Sequence, residues 1–283
     1  MVKADLKHWF YRIRPNENID LERIYSKFSE NASKRLGEDG IVGIVNARGE
    51  GHPNGPDYRF EQVIEKVNLK RYGDGRLALD LKNGIFLLKG QELNIGFSDE
   101  NNKKRNLVCL AYNIPFGKNL LEKFDKFSEK DVEDYLKTQK QTGAFFILSA
   151  PSCADATSYL INKESKIRYL FDAIISYSGS HAILRTNGKA KNFHYLNAFV
   201  GDVAVSGGHY PSSVGTSNTK LKSDIKLNLA VLENPQDTKK YFEVLRKDIT
   251  TTRTEDRETK PLIIETLNWL PRRIIDQIIR GHK

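Results

Sequence analysis

The sequence predicts an α/β fold built on a mostly parallel sheet. Seven short apolar runs have the length and composition of buried strands. Helical periodicity fills most of the gaps between them. Turn and capping residues punctuate both kinds of segment. A chain of 283 residues suffices for one large domain, and α/β barrels of this size often form one. This alternation is equally compatible with an open doubly wound sheet and with a closed barrel.

The first strand is expected around Val2 to Leu6. A helix follows from Asp20, with Leu21, Ile24, Tyr25, Phe28 and Ala32 on one face. Asp20 suits the N-cap and Gly37 or Gly40 the stop. Ile41–Val45 is the second strand, and Asp57 to Val67 the next helix. Gly84–Glu92 is a third strand ending in a carboxylate, and Asn106 to Tyr112 a fourth. Two charged helical stretches, 119–127 and 128–139, precede a fifth strand at Ala144–Leu148. Asp172–Tyr177 and Asp202–Ser206 are the sixth and seventh. Beyond them, Ile225 to Leu232 alternates like a strand and Asp237 to Ile249 has helical spacing. A stripe after Pro261, divided by Pro271, carries Arg272, Arg273, Arg280 and Lys283, and is expected to pack back on the body of the protein.

Composition narrows the functional classes. Two cysteines, Cys109 and Cys153, exclude a disulfide framework and a four-cysteine zinc site. Cys109 lies in an apolar run and suits a small core side chain. The residues from Met1 to Lys7 lack the pattern of a secretory signal, and no apolar run nears the ~20 residues of a membrane helix. A cytoplasmic protein without a membrane partner is therefore expected. The net charge of +9 favours polyanionic partners such as nucleic acid or phosphorylated ligands, although a merely basic surface explains it equally well.

In parallel α/β folds the chemistry lies beyond the carboxyl ends of the strands. Here the first strand ends in Ala4-Asp5-Leu6-Lys7-His8-Trp9, and the second in Asn46-Ala47-Arg48. The third closes on Lys89-Gly90-Gln91-Glu92, and the fifth on Ser149-Ala150-Pro151. The sixth reads Asp172-Ala173-Ile174-Ile175-Ser176-Tyr177-Ser178-Gly179, and the seventh Val205-Ser206-Gly207-Gly208-His209. In order and spacing this series resembles the strand-end motifs of the PHP (polymerase and histidinol phosphatase) family of metal-dependent phosphoesterases. Its coverage runs from residue 4 to residue 215. The resemblance implies a distorted seven-stranded (β/α)7 TIM-like barrel over residues 1–220. The remainder, 221–283, would be a C-terminal strand and helix extension packed on the barrel.

The departures from the family pattern fall on its metal ligands. Lys7 and Trp9 stand where the family has histidines, and Ala47, Ala150 and Gly207 where it has further ligands. Lysine at ordinary pH, tryptophan and alanine offer no donor pair to a metal, whereas such sites need three or more converging donors per ion. Glu92 and His209 are retained as residual ligand candidates. His8 is displaced by one place, and strand alternation directs it away from the mouth. Lys7 and Arg48 are candidate phosphate-binding cations in place of the metal charge. The competing roles are a surface carboxylate for Glu92, a polar cap for His209 and plain solvated charges for Lys7 and Arg48. His52, His181 and His194 match no family ligand and default to structural or surface roles.

The resemblance thus implies a catalytically inactive binding or scaffold subunit, with no cofactor and with a phosphorylated ligand, nucleic acid or a protein as partner. The alternative is a phosphoesterase with a rearranged Zn, Mn or Fe site that uses Glu92, His209, His8 and His181 or His194.

Overall fold

The computed structural model describes residues 1–8, 20–46, 58–73, 75–114, 127–149, 159–160, 165–179, 200–208, 210–222 and 235–259. Its elements are β1 (Val2–His8), α1 (Leu21–Leu36), β2 (Gly40–Asn46), α2 (Arg59–Val67), β3 (Lys70–Tyr72), β4 (Leu77–Asp80), β5 (Ile85–Ser98) and β6 (Lys104–Tyr112). They continue with α3 (Glu129–Gln141), β7 (Phe145–Leu148), β8 (Ala173–Ser178), β9 (Gly201–Val205), β10 (Asn218–Leu221), α4 (Pro235–Thr251) and β11 (Arg257–Glu258).

The main path of the sheet runs β11-β10-β1-β2-β5-β6-β7-β8-β9. It curls into a nearly closed barrel. At the seam, Gly207 N–H donates to the Lys7 carbonyl at 3.0 Å. The Thr219 side chain of β10 bonds both the N–H (2.9 Å) and the carbonyl (3.1 Å) of Ala204 in β9. A side chain thus replaces the missing rungs of the ladder.

All seven expected strands are present, with two corrections. β1, β2 and β5 are parallel, as are β7, β8 and β9, but β6 is antiparallel to both of its neighbours. The third strand also runs past Glu92 to Ser98 and turns directly into β6. Only Asp99 to Lys103 joins the two strands, too few residues for a parallel crossover. Asp99 builds that turn by accepting N–H bonds from Asn101 (2.9 Å) and Lys103 (3.0 Å), with Asn102 left-handed at φ 56°. The hairpin β3–β4 adds antiparallel to the start of β5.

The helices follow their sequence signals. Asp20 caps α1 by accepting from Arg23 N–H at 2.9 Å, and Gly37 ends it at φ 82°. Ser128 and Asp131 form a reciprocal capping box on α3. Residues 119–126 of the expected helix near 119–127, the strand at 225–232 and the stripe after Pro261 lie outside the described residues.

Alternation divides the core. Ala4, Leu6, Ile41, Val45, Phe86, Leu88, Tyr112, Phe145 and Val203 fill the barrel interior. On the outside, Val42, Ile44 and Leu87 meet α1 and α2, while Cys109, Phe146 and Ile174 meet α3. Tyr241, Phe242, Leu245 and Ile249 of α4 join the interior cluster, so residues on both sides of position 220 share one core. Tyr241 lies 6.4 Å from Phe86 at the start of β5, and Arg246 bonds Asp172, just before β8, at 2.8 Å. The helix therefore covers the end at which the parallel strands begin, leaving their carboxyl ends as the mouth.

Tyr112 fills the centre beneath that mouth. Its ring stacks on Phe145 at 5.0 Å and 14°, and its hydroxyl donates to the Leu6 carbonyl. A Cβ at Gly43 would strike the Tyr112 hydroxyl and approach the Leu6 oxygen at 2.8 Å. Gly43→Ala is therefore expected to destabilise the protein by about 1–3 kcal/mol through overpacking. The loss should appear as a lower denaturant midpoint with an unchanged slope; an unchanged midpoint would contradict the wedge.

Candidate functional site

An irregularity in β1 organises the mouth. Asp5 pairs with Val42 and His8 with Ile44, so three steps along β1 match two along β2. The extra residue turns consecutive side chains to different surroundings.

Lys7 crosses the mouth. Its Nζ donates to Ser149 Oγ at 2.8 Å, just beyond β7, and lies 3.2 Å from Glu92 Oε2 on β5. Three of the predicted strand ends are thereby joined through one ammonium. Its side chain is 8% exposed and that of Glu92 23%, so the pair is shielded yet open to water on the carboxylate side. Tyr112 lies across the interior below.

His8 takes the opposite direction, as expected, but the extra residue in β1 and not plain alternation turns it there. It is fully buried, edge-on to Phe28 of α1 at 5.1 Å. Its Nε2 lies 3.2 Å from the Tyr210 carbonyl and 3.4 Å from Ser213 Oγ. It therefore fastens the chain after β9 to the outer layer and does not join Glu92. Arg48 and His209 lie outside the described residues, as do His52, His181 and His194.

Two polar residues near the mouth have structural roles that their strand-end positions did not disclose. Asn46 accepts from Phe60 N–H (3.1 Å) and donates to Glu61 (3.1 Å), anchoring the start of α2. Asp5 is fully buried and receives the N–H groups of Ser206 at 3.0 Å and Gly215 at 2.9 Å. Burial outweighs these bonds and pushes its carboxyl up to about 6. An aspartate inside an otherwise apolar strand is the signal that could have singled it out.

Of the ligand candidates for the alternative, rearranged metal site, the described residues include Glu92 and His8, and these two do not converge. Glu92 is paired with an ammonium, which has no lone pair for a cation, and His8 faces the outer helix layer. Among the described residues, no three His, Cys, Asp or Glu side chains converge as a metal would require. Chemically, the cluster offers a fixed positive charge, a hydroxyl and a partly hydrated carboxylate. Among the described residues, no helix is long and apolar enough to cross a membrane.

No family model matches the chain, and no curated protein matches it either.

The ion pair should be measurable as a coupling. A cycle of Lys7→Met, Glu92→Gln and the double variant is expected to give about 1–2 kcal/mol by chemical denaturation. That is below the cost of breaking a fully buried pair, because water still reaches Glu92. Strictly additive single effects would contradict the pairing.

Proposed function

We propose that this chain is a non-catalytic, cytoplasmic barrel protein of the PHP type, acting as a binding or scaffold subunit for phosphate-bearing ligands, nucleic acid included. The observation that carries this proposal is the Lys7 ammonium held between Glu92 and Ser149 at the strand ends. In a phosphoesterase of the proposed type, metal ions would neutralise the phosphate and generate the attacking hydroxide. A lysine supplies only the first of these. It attracts and orients an anion, but it does not ionise a bound water. Substrate binding can thus persist after turnover is lost.

The physical route is exchange. A phosphate oxygen takes the place of the Glu92 carboxylate on Lys7, with Ser149 holding the amine in position. Glu92 is the partner that yields, because it is the more hydrated member of the pair. The net charge of +9 draws polyanions to the surface before any specific contact forms.

Opposite responses are expected from the two halves of the pair. Binding of inorganic phosphate and of short single- and double-stranded DNA and RNA, measured at low salt, should weaken in Lys7→Gln. It should strengthen about fivefold in Glu92→Gln, because a competing charge is removed. Nucleic-acid affinity should also fall with rising salt as counterion release is lost. No binding at low salt would overturn the proposal. Stoichiometric metal and phosphatase activity, both lost in Glu92→Ala, would instead establish a working hydrolase.

A further inference from the structure

The closed end of the barrel gathers cations from separate elements around one carboxylate. Asp172, just before β8, holds two of them on the same oxygen, Oδ1: Lys140 Nζ from the end of α3 at 2.9 Å and Arg246 Nε from α4 at 2.8 Å. Its Oδ2 accepts the Phe146 N–H at 2.9 Å. One carboxylate neutralises one cation, so an excess positive charge stays fixed at this junction. Among the described residues, Arg246 engages Asp172 through Nε alone. Its two terminal amino groups are left in the fork that grips a phosphate. The side chain is 35% exposed, so a ligand reaches it from water.

The surroundings extend this charge. From Lys239 to Lys247, α4 carries four cations and one acidic residue, Glu243, and Lys239, Lys240 and Lys247 are exposed. A short 3-10 helix, Lys166–Leu170, leads into Asp172. It packs on α3, where Ile167 shares the core of Val132 and Leu136 and Lys140 Nζ donates to the Leu170 carbonyl at 2.8 Å. This helix contributes Arg168 and Tyr169. The Arg168 guanidinium lies 4.5 Å from the centre of the Tyr169 ring and bonds its hydroxyl, yet Tyr169 remains 50% exposed. A held, exposed aromatic ring beside cations is the combination that takes bases and phosphates together.

We propose that this end of the barrel is a docking surface for single-stranded nucleic acid, on which Arg246, Lys247 and Arg168 hold backbone phosphates and Tyr169 stacks a base. A single strand fits better than a duplex, because stacking on a ring requires a base whose face is open. It fits better than an acidic peptide, because carboxylates would use the cations and leave the ring idle. The surface lies at the end where the parallel strands begin, away from Lys7 and Glu92 at their carboxyl ends. It therefore stands independently of the phosphate exchange at the mouth.

Binding of a fluorescein-labelled oligouridine of about twelve nucleotides to the full chain at low salt tests the surface. Affinity is expected to fall about tenfold in Tyr169→Leu and to be kept in Tyr169→Phe, which restores the ring. In Arg246→Gln the slope of log affinity against log salt should shrink by about 0.7, the share of one phosphate contact on a single strand. Should that variant fail to fold, the exposed Lys247→Gln is read in the same way. An iodouridine-substituted probe should photocrosslink to the peptide that contains Tyr169. The proposal is overturned by absence of oligouridine binding, by unchanged affinity in Tyr169→Leu, or by a parallel loss of inorganic phosphate binding in that variant. Duplex RNA or polyglutamate bound as tightly as oligouridine, or crosslinks confined to the strand ends around Lys7 and Glu92, would overturn it as well.

Discussion

Between Asp5 and His8, β1 carries one residue more than the β2 segment it pairs with, and the arrangement of the mouth depends on that insertion. A regular strand would send Asp5 and Lys7 to one face and His8 to the other together with Leu6. Instead, Leu6 remains in the core and its carbonyl receives Tyr112. Lys7 reaches Glu92 and Ser149 across the mouth. Asp5 receives the chain leaving β9, and His8 fastens the same chain against α1. Bulges commonly re-aim side chains beside functional sites. Here one bulge also helps to close the barrel, since the Lys7 carbonyl at the irregularity receives Gly207 N–H.

Much of the frame was legible because its signals are local. Seven apolar runs became seven strands, and Asp20 and Gly37 bounded their helix. The antiparallel course of β6 was missed although its signal is present. Leu93, Ile95 and Phe97 alternate with polar residues up to Asp99, which describes a strand continuing into a tight turn. The strand end expected at Glu92 falls six residues short of the observed end at Ser98. The short strands β3, β4, β10 and β11 carry too few residues for any periodicity to identify them. At the mouth, His8 points away from Glu92 as expected, but the irregularity in β1 and not alternation alone sends it there. The partners of Lys7 come from positions 92 and 149, far apart in the chain, and no spacing rule connects them.

Those partners shift the chemistry of the site. Glu92 is matched to the Lys7 cation, and Ser149 holds that cation from the far side. Lys7 thus supplies a neutralising charge within the protein. This is the physical basis for proposing retained anion binding without turnover. It also explains why Lys7 and Glu92 are expected to respond in opposite directions.

A crystal structure of the protein soaked in manganese, with anomalous data, tests this account most directly. The account predicts Lys7 Nζ within hydrogen-bonding distance of Glu92 and Ser149, with no anomalous peak on the carboxylate. A manganese ion coordinated by Glu92, with the Lys7 side chain swung out of the mouth, would contradict it.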